Sequence, residues 1–124
     1  MKIKQLAEKY NLTKDDFWEL KRGTRSMWII THDACEKIAA QENIQFGAPT
    51  IYRDSNTDVA IVGDAKRGNK VIWSTGEASP KNCKAPYPFA MAEKRLKDRL
   101  VLKLINAYEY GIYSDSEADS FKKQ

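Results

Sequence analysis

One long amphipathic segment near the C-terminal end constrains the fold more than any other feature of the sequence. A helix is predicted from Pro88 to about Tyr108, since proline suits the first turn of a helix and Gly111 follows as a stop signal. Four apolar residues recur on one face of this helix at helical spacing: Phe89, Leu96, Leu100 and Leu104. Because an apolar helix face needs a partner surface, the preceding segments are expected to supply a sheet that this helix covers.

Three strand candidates precede the long helix and lie close enough in sequence to pair with one another. They span residues 49–53, 57–64 and 70–75, with turn residues at 54–56 and a hairpin tip at 66–69. In the middle candidate, Val59 and Ile61 alternate with Ala60 and Val62, which is typical of a strand with two different faces. The three segments therefore predict an antiparallel meander.

The region before the meander is predicted to contain helices and one strand. Residues 2–10 and a segment that begins at Thr13, where the sequence is similar to a capping box, are predicted as short helices. Residues 26–30 are apolar and rich in β-formers, which indicates a strand. Thr31 is a suitable N-cap for a following helix through about Gln41.

Together these patterns predict an α+β fold: an antiparallel three- or four-stranded β-meander packed against one long C-terminal helix, with small N-terminal helices. The predicted organisation is an N-terminal helical arm at residues 1–22, an α-β-β-β-α core domain at 23–111 and a polar C-terminal tail at 112–124. A chain of 124 residues is long enough to bury a core of its own.

The composition also bounds where the protein is expected to work. Its apolar stretches fall short of the roughly 18 residues of a membrane span, and the N-terminus lacks the apolar core of a secretory signal. Two isolated cysteines, Cys35 and Cys83, are not a disulfide framework, so both are expected to be reduced. The sequence thus predicts a cytoplasmic protein with no membrane partner.

No residue pattern in the sequence points to catalysis or to a metal. His32 is the only histidine, and its spacing to Cys35 and the other cysteine matches no zinc-ligand pattern. The run 63–70 is similar to a phosphate-binding loop, but Asn69 precedes its lysine and Val71 replaces the Ser or Thr that binds magnesium. We therefore expect no enzymatic activity, no cofactor and no metal site.

Positive charge clusters around the long helix, although the whole chain is only mildly basic, with a net charge of +4. Seven lysines and arginines between Lys81 and Lys103 stand against Glu93 and Asp98. The candidate nucleic-acid-binding residues are Lys94, Arg95, Lys97 and Arg99 on the helix, Lys81, Lys84 and Tyr87 before it, and Lys66 and Arg67 at the hairpin tip.

The expected binding surface is the corner where residues 76–87 meet Lys94 and Arg95, because these two side chains are predicted to point away from the core. Lysine and arginine would neutralise phosphates, and exposed aromatic rings would stack on bases. The rings available are Tyr52, Trp73, Tyr87 and Phe89, with core packing as the alternative for Trp73 and Phe89. A solvated amphipathic helix that binds nothing is the other interpretation of the same charges.

Three short motifs within the run from Ile51 to Tyr113 suggest a family. They are the strand end Gly76-Glu77-Ala78, the helix motif Ala92-Glu93-Lys94-Arg95 with Arg99, and the ending Tyr110-Gly111-Ile112-Tyr113. Together with the meander before the helix, they resemble the core of phage single-strand annealing proteins of the Erf/Sak type. The resemblance implies that Lys94, Arg95 and Arg99 contact phosphates. It also implies oligomeric rings or filaments in which strands pair edge to edge between subunits.

The function expected from charge and resemblance together is single-stranded DNA binding, with strand annealing in phage or bacterial recombination. The segment with Pro80 and Pro86 is longer than expected for that family, and Leu96 and Leu100 replace its usual small helix residues. Two alternatives stay open. The order α-β-β-β-α with a basic last helix also resembles the double-stranded-RNA-binding domain. The tail at 114–121 suits a protein-interaction module that binds a host or phage factor, such as a recombination partner.

Overall fold

A computed structural model of the protein describes residues 2–55, 57–81 and 86–117. Within these ranges the chain forms three α-helices and seven strands, which confirms the predicted α+β class. The elements in chain order are α1 (Ile3–Tyr10), β1 (Phe17–Arg22), β2 (Arg25–Ile30), α2 (His32–Gln41), β3 (Gln45–Phe46), β4 (Thr50–Asp54), β5 (Val59–Arg67), β6 (Lys70–Ala78), α3 (Pro88–Leu104) and β7 (Ile112–Ser114). Two short 3-10 helices, Ala107–Tyr110 and Asp115–Glu117, flank β7.

The strands form two sheets. In the first, which we call the hairpin sheet, β2 pairs antiparallel with β1 and parallel with β7. In the second, the meander sheet, β5 is central, with β6 along one side and β3 and β4 in succession along the other. All pairings in the meander sheet are antiparallel, so the predicted meander is confirmed as β4–β5–β6.

The long helix α3 lies directly on one face of the meander sheet. A Cβ atom at Gly76 of β6 would lie 2.2 Å from the carbonyl oxygen of Ala92 and 2.8 Å from Cβ of Leu96. Such an approach is possible only where the strand has no side chain. Leu96, Leu100 and Leu104 are buried as predicted. The prediction is wrong for Phe89, which is 39% exposed, because the helix meets the strand only at Ala92, one turn later.

The predicted helix after Thr13 is wrong, since β1 begins at Phe17 in its place. The backbone N–H of Thr13 does donate to the Asp16 carboxylate, at 2.9 Å, but this contact closes a turn and does not start a helix. The strand β1 pairs with β2 over its full length, and Phe17 packs edge-on against Trp28 with ring centroids 5.9 Å apart. The pairing partner therefore overrides the local capping pattern.

The predicted polar tail is also wrong for the part of it that the structure describes. The helix α3 ends at Leu104, because Asn106 adopts a left-handed conformation with φ 58°. Residues 112–114 then form β7, in which Ile112 and Ser114 are buried. Ile112 joins the same core cluster as Leu6 and Tyr10 of α1. Residues 118–124 of the predicted tail lie outside the described ranges.

No helix within residues 2–55, 57–81 and 86–117 is long and apolar enough to span a membrane.

Candidate functional site

Arg95 points inward, so the prediction that it faces solvent is wrong. Its side chain is 2% exposed, and its guanidinium donates to the carbonyl oxygen of Ser116 at 2.7 Å and to that of Glu77 at 2.9 Å. Buried carbonyl groups need donors, and Arg95 supplies them to the end of β6 and to the segment after β7. Its charge is therefore used inside the fold and is not available to a phosphate.

Arg99 is likewise committed to internal partners. Its guanidinium donates to both carboxylate oxygens of Glu77, at 2.8 and 3.0 Å, and to Glu117. It also donates to the carbonyl oxygen of Thr75 at 2.9 Å. The hydrogen bond from Arg99 holds the pKa of Glu77 below its usual value. Two carboxylates already neutralise this cation, which argues against the phosphate contact that the resemblance implies.

Three cations of α3 follow the outer edge of β6 as a ladder. Arg95, Arg99 and Lys103 donate to the carbonyl oxygens of Glu77, Thr75 and Trp73, the last at 3.3 Å. Four helix residues rise about 6 Å, and two strand residues advance about 6.8 Å, so the two spacings nearly match over this length. We call this set the α3–β6 ladder.

Two of the other predicted binding residues also contact carboxylates of the protein. Arg67 donates to the carbonyl oxygen of Leu104 at 3.1 Å and pairs with Glu42, and Lys97 lies 3.8 Å from Glu93. Lys84 lies outside the described residues. Lys66, Lys81, Tyr87 and Lys94 are exposed. The predicted corner between residues 76–87 and α3 stays a prediction, with Arg95 removed from it.

The meander sheet keeps one face uncovered, opposite the face that α3 covers. Opposed residues in neighbouring strands place their side chains on the same face. Since Gly76 and Ile61 face the helix, the residues that alternate with them face away. This second face, which we call the open face, consists of Val62, Asp64, Lys66, Val71, Trp73 and Thr75. Its largest apolar side chains are well exposed, with Trp73 at 66% and Val71 at 60%.

Trp73 is the most distinctive side chain of the open face. The ammonium group of Lys103 lies 5.8 Å from the centre of its indole ring, within the range of a cation–π contact. Lys66 is exposed one strand away. Sequence reasoning named Trp73 only as a possible stacking ring and left Lys103 out. The alternation through Gly76 could have placed Trp73 outside, because a glycine under a helix fixes the inward side of its strand.

A second set of polar groups is buried where α2, α3 and β7 meet. His32 contacts the carboxylate of Asp98 through Nδ1 and that of Glu36 through Nε2, each at 2.6 Å. Asp98 is 1% exposed and also accepts a hydrogen bond from the Ser114 hydroxyl at 2.5 Å. The carboxylate thus separates the imidazole from the hydroxyl, so the histidine has no bonded nucleophile. Burial raises the pKa of the Cys35 thiol beside it, which keeps that sulfur protonated.

This arrangement, which we call the clamp, joins α2 to α3 through the contact between His32 and Asp98, and α3 to β7 through the hydrogen bond between Ser114 and Asp98. In the described part of the chain, no group of His, Cys, Asp and Glu side chains is arranged to hold a metal ion.

The clamp should make stability depend on pH. The hydrogen bond to Asp98 raises the pKa of His32, with Glu36 adding to the effect. A raised folded-state pKa stabilises the protein fully below the unfolded value of about 6.5 and is lost as pH rises through the folded value. The free energy of unfolding lost in His32→Asn should therefore be larger at pH 5.5 than at pH 8.5, as measured by urea denaturation.

An equal loss at both pH values would contradict this prediction. The pH dependence reports His32 together with Asp115, whose pKa burial raises and which interacts with the His32 charge.

Three features of the structure bear on function. They are an uncovered sheet face with an exposed tryptophan, a strand edge whose carbonyl groups are bonded to cationic side chains, and a buried contact between a histidine and a carboxylate. Comparison of the chain with protein-family models, with curated proteins and with solved structures finds no match.

Proposed function

We propose that the protein binds single-stranded DNA on the open face of the meander sheet, with Trp73 as the residue on which a base stacks. One observation carries the proposal: Trp73 is 66% exposed on an uncovered sheet face, with the Lys103 ammonium 5.8 Å from its ring centre. A buried tryptophan would be ordinary core, whereas an exposed one beside a cation suits a flat ligand with an anionic backbone.

The charges around Trp73 suit a strand that crosses the face. Lys103 at the β6 edge and Lys66 on β5 provide positive charge on two sides of the ring. Asp64 lies directly opposite Trp73 and repels phosphate there, so the base occupies the ring while phosphates lie toward the lysines. Lysines that neutralise phosphates make such binding weaken as salt rises.

An open face favours unpaired bases over a duplex. Bases in a duplex are already stacked on each other, so an indole on a flat sheet reaches only bases that are splayed out. A base stacked on Trp73 keeps its pairing edge free, which is compatible with strand annealing. The proposed function is the one that the resemblance implies, but the phosphate contacts are made by Lys66 and Lys103. Arg95 and Arg99 are already bonded to partners within the fold.

Trp73→Ala should weaken binding of single-stranded DNA about 5- to 150-fold, because stacking of one base on an aromatic ring contributes about 1–3 kcal/mol. The fold should persist, since the side chain packs little against the core. Fluorescence anisotropy with a short labelled oligonucleotide, at two salt concentrations, measures the effect.

Trp18→Ala is the matched control, since Trp18 is 41% exposed but lies on β1 of the hairpin sheet. Equal losses in the two variants would contradict a site on the open face. Tighter binding of duplex RNA than of single strands would favour the duplex-RNA alternative. Absence of any nucleic-acid binding by the unchanged protein would leave the protein-interaction module as the explanation of the exposed face.

A further inference from the structure

A cleft of about 300 Å³ lies between α2 and α3, away from the open face. Ala39, Ile44 and Val101 form its apolar walls, and Phe46 of β3 lines it while remaining 37% exposed. Ligand sites in proteins typically have volumes of about 300–1,000 Å³, so this one suits a single small ring system. A larger ligand, such as a whole nucleotide, would extend out of it.

The walls of the cleft suit a flat occupant. The Lys97 ammonium lies 5.8 Å from the centre of the Phe46 ring, so aromatic and cationic groups meet at the exposed side. A planar heterocycle can stack on Phe46 and also contact Lys97. The apolar walls behind them would exclude water from its faces.

The inner end of the cleft discriminates by charge. The buried Asp98 and the more exposed Glu36 line the cleft together with His32, which contacts one oxygen of each carboxylate. The two carboxylates disfavour a phosphate but accept hydrogen bonds from an amino group. Asn43, which also lines the cleft, offers an exposed amide that both donates and accepts. The combination fits a neutral ring that carries an exocyclic amino group, which is the chemistry of a nucleobase and not that of the sugar-phosphate backbone.

The cleft and the open face lie within reach of one bound strand. Phe46 pairs with Ala65 of β5, and Ala65 pairs on its other side with Ile72 of β6, the neighbour of Trp73. Phe46 lies opposite Ala65 and shares the face that α3 covers, whereas Trp73 is on the open face. A bound strand that reaches both therefore passes round the β3 edge of the sheet. Lys66 follows Ala65 between them and faces the open side, where it can contact an intervening phosphate.

We propose that the cleft between α2 and α3 receives one unpaired nucleobase of the bound strand, stacked on Phe46 and held at its polar edge by Asn43 and Glu36. The inference rests on the proposed function, since it concerns the same ligand. It adds a second base site to the one at Trp73.

The test compares two oligonucleotides of equal length, one with adenine bases and one abasic throughout, against Phe46→Leu and Phe46→Ala. Phe46→Leu keeps the apolar volume and removes the ring, so the fold is preserved even if alanine proves disruptive. Affinity for the adenine oligonucleotide should fall about 5-fold or more in both variants, because a stacking contact is lost. Affinity for the abasic strand should be the same in both variants as in the unchanged protein.

Two results would overturn the inference alone, and a third would overturn the proposed function together with it. Unchanged adenine-strand affinity in Phe46→Leu, with Trp73→Ala still weakened, removes the cleft and leaves the open face. Equal losses on the adenine and abasic strands identify a backbone contact in place of a base site. If the unchanged protein binds no single-stranded DNA, the proposed function fails, and the inference fails with it.

Discussion

Arg95→Ala is expected to lower the free energy of unfolding by about 3 kcal/mol, because it leaves one buried and one partly buried carbonyl group without their donor, at about 1–3 kcal/mol each. Arg95 is 2% exposed and bonds to Ser116 and Glu77, so it ties the segment after β7 to the end of β6. The loss should appear in urea denaturation as a lower midpoint with an unchanged slope.

Lys94→Ala is the matched control, since Lys94 is adjacent in sequence, carries the same charge and is exposed. Its effect on stability should stay within about 0.5 kcal/mol, as for other surface substitutions. Equal stability of the two variants would contradict the internal role of Arg95. The pair also matters for DNA binding, because any loss of affinity in an Arg95 variant has to be separated from loss of the fold.

Gly76→Ala is expected to destabilise the protein by about 3 kcal/mol, at the upper end of what overpacking usually costs. The added Cβ would lie 2.2 Å from the carbonyl oxygen of Ala92 and 2.9 Å from the backbone nitrogen of Leu96. These are atoms of the helix backbone, so a change of side-chain rotamer cannot relieve the contact. The helix α3 would have to move off the sheet, and thermal unfolding would report the loss as a lower midpoint.

Gly23→Asn provides the comparison for this second variant. A Cβ at Gly23 meets nothing within 4 Å, and asparagine tolerates the left-handed φ of 59° found there. Its stability should therefore remain close to that of the unchanged protein. A Gly76→Ala variant as stable as Gly23→Asn would show that the helix does not rest on the strand at this point.

Elements with strong local signals were predictable from the sequence. Pro88 marks the start of α3, and Thr31 caps α2 by accepting a hydrogen bond from the backbone N–H of Ala34 at 3.0 Å. The turn at Gly68 joins β5 to β6 as expected, with φ 59° at the glycine. In each case the residues that decide the structure lie within a few positions of one another.

Elements that depend on distant partners were not predictable in the same way. The strand β7 has three residues and exists because Ile112 and its neighbours pair with β2, whose Trp28 lies far earlier in the chain. No periodicity can be read from so short a segment. The strand β1 is a similar case, because the capping pattern at Thr13 favours a helix until β2 is available as a partner.

The residues of the candidate site show the same difference between local signals and distant partners. Helical spacing correctly placed Leu96 and Leu100 in the core, but it could not show that Arg95 is also buried, since arginine is rarely buried without partners. Those partners are carbonyl groups of β6 and of the segment after β7, which only the folded chain brings to the helix. For Trp73 the useful signal was a glycine. Gly76 marks the side of β6 that faces the helix, and Trp73 lies on the other side of the strand.

The α3–β6 ladder also limits how copies of this chain can associate. A strand that approached β6 from outside would find the carbonyl groups of Trp73, Thr75 and Glu77 already bonded to cationic side chains that stand in its path. Rings and filaments built by strand pairing use two edges of every subunit, and β6 is closed to that use. We therefore expect any strand pairing through the meander sheet to use its β3–β4 side, while β1 and β7 form the edges of the hairpin sheet.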